Sequence, residues 1–503
     1  MRKFILILAL VVTACAPIAV TQPIVPTPTR SPISGPTPTP DPVWADLSPY
    51  RAAMRPEFAQ DVDQFANATQ YKIDLTIAPD LTSYTGSQQV HYINTETSAL
   101  GQIYFRLFPN TQAYGGQLTI TSLKMNGASI EPIMELGNSA MRIDLSSPLN
   151  GGAAVDFEMS YQTIVPTTSI TYGYDQFGLL DHILALPNFY PQIPAYDEEG
   201  WNVEIAPGDG DAVYSDSALY QVNISAPSNQ IVAASGVCDR SSNATTQTLK
   251  CVSGPMRDFM IGMSADFQIA SDQIDGIQVN SYYLARDAEA GQNGLTTVVN
   301  SIKSYEQRIG AYPFTELDLL ETPTQAGGIE YPGLIVVAED LYRQARGFQE
   351  GATAHEAAHQ WWYSLVGNDQ LDDPWLDESL TQFTTALYFY DQYGQSGLDG
   401  DVNQDLVRRH DRVKGTDEDK RADLPVAAYT GRQYSAIVYG KAPLFFYALW
   451  QKMGDEKYNA FMQNYFQANR YGVAKVDDLL KAIETQLDKA AVDALMKQWI
   501  TTP

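Results

Sequence analysis

The chain has 503 residues, 44% hydrophobic and 11% aromatic, with 59 acidic against 32 basic residues and a formal charge of −27. That length exceeds one ordinary domain and the apolar content suffices for large cores, so two or three domains are expected. So acidic a chain offers no basic footprint for phosphates, which excludes nucleic acid as a partner; the acidity serves solubility, or a field that draws cationic ligands such as peptide amines.

Arg2 and Lys3 precede an apolar run, Phe4–Val12. The run is too short to cross a bilayer and suits a signal peptide. It ends Val12-Thr13-Ala14-Cys15. This resembles a bacterial lipobox, so residues 1–15 read as a lipoprotein-type signal whose cysteine is lipidated. An ordinary cleaved signal with an incidental cysteine is the alternative. Residues 16–46 are a linker, and proline through residue 42 favours an extended polyproline II spacer. Together these predict an exported, extracytoplasmic protein, lipid-anchored to a bacterial membrane.

From about 71 to 270 the pattern has period two, as in Tyr71, Ile73, Leu75 and Ile77 against Lys72, Asp74 and Thr76. Short strands punctuated by Gly, Pro, Asn and Ser predict an antiparallel β domain over 47–274, with a short helix at 53–67. Cys238 and Cys251 flank a polar stretch that reads as a hairpin loop. An exported chain lets them form a local disulfide; two free thiols are the alternative. Past 290 the spacing becomes helical, over 294–310, 349–366, 376–393, 435–453, 456–468, 475–485 and 489–500, with two strands after the first. Strands followed by helices predict an α+β multidomain chain, its second domain at 275–503.

Residues 355–359 read His-Glu-Ala-Ala-His in a chain with five histidines. On a helix, His355 and His359 stack on one face and can grip one zinc ion. Glu356 lies beside that face, placed to act on a water without being a ligand. A catalytic zinc takes three protein ligands and keeps one position open. Glu378 opens the next amphipathic helix, and a short connection lays it back against the first. The metal set is therefore His355, His359 and Glu378. His91, His182 and His410 lack partners at ligand spacing.

The spacing H-E-x-x-H, eighteen residues, E is similar to that of the gluzincins, specifically the aminopeptidase N-like zinc metallopeptidases. Residues 305–323, Ile193–Glu198, Trp375–Glu378 and Val438–Ala442 resemble further segments of that family. The resemblance implies a saddle-like N-terminal β domain, then a thermolysin-like, mainly helical catalytic domain, without the helical C-terminal domain of larger members. It implies that Gly327, Gly328 and Glu330 bind substrate, Glu330 taking the free α-amine, and that Tyr439 is catalytic. Tyr331 stands where the family has asparagine, and Ala442 where it has glycine.

The expected function is zinc-dependent hydrolysis of peptides from their amino end. Glu356 would be the general base, and Tyr439, with the zinc, would hold the tetrahedral oxyanion. A zinc endopeptidase with the same site and a non-catalytic peptide-binding lipoprotein are the alternatives.

Overall fold

Burial alternates along the N-terminal strands as the period predicts: in Gln70–Ile77, Ile73, Leu75 and Ile77 are buried while Asp74 and Thr76 are exposed. The computed structural model describes residues 42–168, 177–344 and 346–503. The signal, Cys15 and most of the linker lie outside the described residues. Among those described, no helix is long and apolar enough to cross a membrane.

The largest sheet has eight strands, in the order 237–242, 246–252, 219–227, 70–77, 83–93, 154–164, 117–125 and 128–129. One pairing departs from the antiparallel expectation. Gln70–Ile77 and Leu219–Pro227 run parallel, Ile73 opposite Val222. Such a pair needs a long crossover, and here it spans the intervening strands of the domain. Cys238 and Cys251 are opposite one another in the hairpin of 237–242 with 246–252 and are joined as a disulfide. The helix expected at 53–67 is two 3-10 turns, Ser48–Ala53 and Pro56–Phe65.

A mixed five-stranded sheet follows, in the order 267–274, 277–284, 316–322, 334–338 and 328–329. Its first strand hairpins with the second from Phe267–Leu284 to Ile274–Ile277. The change of sheet therefore comes before residue 267 rather than at 274. A second apolar cluster joins Ile183, Ala233 and Met260 of the preceding four-stranded sheet to Leu320, Leu334 and Val336 of this one. Residues 40–503 form one compact unit.

The helices fall close to expectation at Ala288–Arg308, Glu378–Tyr393, Asp455–Asn469, Val476–Glu484 and Lys489–Trp499. Two differ. The stretch expected at 435–453 is interrupted by a π turn, Ile437–Lys441, between Gly431–Ala436 and Pro443–Met453. The helix expected over 349–366 is Arg346–Ala358, after which bonding tightens to Gln360 N–Ala357 O and Trp361 N–Ala358 O. Trp361, Trp362 and Tyr363 are all buried, which one helix face cannot achieve. Arg257 holds the turn: Nε donates to Tyr363 O at 2.7 Å and Nη1 to Ser215 O at 3.0 Å, and Nη2 donates to Gly472 O.

A further helical segment, 395–410, was not anticipated. Its signal was the i, i+4, i+8 spacing of Leu398, Val402 and Leu406, all buried. It widens to a π turn at Val402–Val407, which packs on the π turn carrying Tyr439.

Candidate active site

His355 sits in the last turn of Arg346–Ala358, and the N–H of His359 bonds back to its carbonyl at 3.2 Å. The two imidazoles thus share a face although the helix ends between them. Glu378 opens the next helix, whose residues 378–388 are buried all round, so the carboxylate is held rigidly beneath them.

Three donor atoms converge. His355 Nε2 and His359 Nε2 are 3.1 Å apart, and Glu378 Oε2 lies 3.2 Å and 3.3 Å from them. His359 Nδ1 faces Trp362 O at 2.8 Å. Donation to that carbonyl fixes the proton on Nδ1 and turns the Nε2 lone pair inward. Lone pairs at such separations repel unless a cation lies between them. Zinc bonds of about 2.0–2.1 Å at tetrahedral angles put donor atoms about 3.3 Å apart, so the set fits the ion.

Acids crowd this centre. Glu356 is 5% exposed, and burial and then the charge of Glu330 push its carboxyl well up. Glu330 is 4% exposed and raised to about 7, chiefly by burial, with His359 opposing. Its Oε1 accepts from Gln370 Nε2 at 3.0 Å. Burial would raise Glu378, but the neighbouring imidazoles of His355 and His359 hold it low. Burial would lower His359, yet Glu330, Glu378 and Glu356 carry it well above its usual range.

The glycines divide their work. A Cβ on Gly328 would come within 2.5 Å of the Glu356 carboxylate, so only glycine leaves that side chain its place. At Gly327 the space is open. Both line a cavity of about 380 Å³ with Glu330, His355, Glu356 and Tyr439. The Tyr439 hydroxyl donates to Glu378 Oε1 in this structure.

The two departures from the family pattern are absorbed locally. Tyr331 is buried in the cluster of Leu320, Ile329, Leu334 and Val336 rather than lining the cleft. Ala442 has helical backbone angles, φ −64 and ψ −37, that place no demand for glycine. The remaining histidines lie apart. His91 stacks on Trp44 and meets Asp156, His182 is exposed beside Asp266, and His410 is buried by Asp419.

Sequence reasoning missed the residues behind the site. Gln370 bridges Glu330 to Asp377, and Asn368 also donates to Asp377. Asn368 and Gln370 stand in the stretch read only as a short connection, and Asp377, expected inside the next helix, stands at its N-cap.

Residues 294–499 match the Peptidase family M1 domain. The chain is 28% identical over 217 residues to Tricorn protease-interacting factor F2 of Thermoplasma volcanium, covering 40% of this chain and 27% of that protein. It is 25% identical over 252 residues to Aminopeptidase N of Lactococcus lactis, covering 45% and 28%. The matched segment thus spans about a quarter of the length of these relatives. An M1 zinc metallopeptidase from Deinococcus radiodurans shares the fold, with a TM-score of 0.65 at 16% identity, over 87% of this chain and 95% of that one.

Proposed function

We propose that residues 294–499, which match the Peptidase family M1 domain, work as a zinc-dependent, aminopeptidase N-like peptidase and that the protein removes residues from the amino end of peptides. The observation that carries this is the convergence of His355, His359 and Glu378, with Glu330, Glu356 and Tyr439 lining the same cleft.

Zinc held by His355, His359 and Glu378 would act as a Lewis acid, lowering the pKa of water, polarising the scissile carbonyl and offsetting the crowd of acids. The chain's own groups do the rest. Glu330 accepts the free α-amine and so sets where the cut falls. Glu356 takes a proton from the attacking water and passes it to the leaving amine. The Tyr439 hydroxyl turns from Glu378 to donate to the oxyanion. Gly327 leaves room for the substrate backbone beside the edge strand.

A panel of aminoacyl fluorogenic amides beside their N-acetyl versions tests the reading, together with the zinc content of the protein. Free-amine substrates should be cleaved at least tenfold faster. Equal cleavage of capped peptides would make it an endopeptidase. Neither zinc nor turnover would leave a peptide-binding lipoprotein.

We infer also that the protein is exported and lipid-anchored through Cys15, supported by Arg2, Lys3, the run Phe4–Val12 and the spacer behind them. In a bacterial host, Cys15→Ser should shift it from the membrane to the soluble fraction; an unchanged distribution counts against the anchor.

A further inference from the structure

Glu330 and the glycines make one end of the cleft, and different residues make the other. Glu330 lies 4.0 Å from His359, at the end of the histidine helix. Phe348 and Gly351 line the cleft about one to two turns before His355 on that helix. Gly351 lies against the ring of Phe389. The segment 395–410 begins beside Phe389, where Gly397 meets its carbonyl, and runs back until Arg409 lies 5.7 Å over the Tyr439 ring. A peptide whose amine is on Glu330 and whose first carbonyl faces His355 and Glu356 has its second residue at this far end.

Resting on the peptidase reading above, we propose that this end is the subsite for the residue after the cleaved bond and that Asp401 selects a lysine or arginine side chain there. Asp401 lines the cleft, is only 9% exposed, and its Oδ2 is buried with no hydrogen-bond partner. A buried carboxyl oxygen left without a partner is costly, and a donor arriving through the cleft removes the cost. Among the described residues the chain supplies none. Arg409, the one lysine or arginine lining the cleft among the described residues, donates instead to Asp405 Oδ1 at 3.2 Å and covers Tyr439. Phe348, 52% exposed, and Phe389 offer apolar walls for the methylene stem of such a side chain, whose charged head then reaches Asp401. Gly347, Gly351 and Ala352 leave the passage wide. An acidic side chain would face Asp401 and Asp405 together and be rejected. Burial, with Asp405 adding to it and the charge of Arg409 opposing, holds the Asp401 carboxyl well above its usual range, and an arriving cation would favour the ionised form.

The test is calorimetry on the zinc-loaded Glu356→Gln protein, in which binding is read without turnover, using the dipeptides Leu-Lys and Leu-norleucine. Leu-Lys should bind at least tenfold more tightly. Adding Asp401→Asn should bring the ratio close to one, and Asp401→Glu, which keeps the charge, should retain part of it. Equal binding of the two dipeptides, or a ratio that Asp401→Asn leaves intact, overturns the proposal. Cleavage of Leu-amide by the wild-type protein is measured alongside. Cleavage without the lysine preference overturns the subsite alone, and no cleavage overturns the peptidase reading and the subsite with it.

Discussion

Arg308 and the cleft are both places where charge is buried, and they are built in opposite ways. The Arg308 side chain is 4% exposed. Its Nε and Nη2 go to Asp391, and its Nη1 to Asp455 and Asn459. Cation and acids meet at hydrogen-bond distance, so the desolvation cost is offset inside the cluster. At the cleft Glu330, Glu356, Asp377 and Glu378 are all buried, and no arginine or lysine pairs with any of them among the described residues. A balanced cluster holds the scaffold together; an unbalanced one is a standing demand for a cation. Glu321 qualifies the lesson. Burial raises its carboxyl to about 8 and its Oε1 has no partner, yet no imidazole lies beside it. Acid crowding alone is therefore not the mark of the site. Two imidazoles converging on a carboxylate are.

Removing Glu356 breaks the comparison at its functional end. Glu356→Gln should lower turnover about 10²–10⁴-fold while zinc content, read by atomic absorption, persists and the melting temperature does not fall. Retained turnover would remove Glu356 as the base. The balanced cluster should behave in the reverse way. Arg308→Ala removes a buried cation from between Asp391 and Asp455, whose side chains are 27% and 43% exposed and can be hydrated, and should cost about 1–3 kcal/mol in denaturant unfolding; a loss well under 1 kcal/mol would mean that the cluster is not a scaffold element.

The smallest effect sharpens the exception. With its folded value near 8, Glu321 keeps a proton that the unfolded chain has released. Its contribution is whole below the ordinary carboxylate range and is lost as pH rises toward 8. Melting temperature should therefore decline over that window, and Glu321→Gln should flatten the decline. An unchanged slope would assign it to other groups.

What could be read from the sequence follows the range of the interactions involved. His355, Glu356 and His359 are legible because one helical turn brings them together, and Glu378 because it opens the next helix. Glu330 and Tyr439 come only from resemblance, since nothing local ties them to the histidines. Gln370, Asp377 and Asp401 were not legible, because each depends on which helix packs beside it. The end of the histidine helix at Ala358 was hidden for the same reason, as Arg257 reaches it from about a hundred residues away. The parallel pair of Gln70–Ile77 with Leu219–Pro227 could not be read from period-two alternation, which is the same for either direction.

The Arg257 clamp has a consequence for how this protein tolerates change. Its guanidinium gathers the carbonyls of Tyr363, Ser215 and Gly472, three stretches far apart in the chain. A carbonyl is common to every residue type, so the clamp itself asks for no particular side chain at those three positions. The demand falls instead on Arg257 and on Gly367, where a Cβ would come within 2.2 Å of the guanidinium carbon. Two positions thus carry the specification of a junction that joins three segments, and drift at the carbonyl positions, within what their own packing allows, would leave it standing.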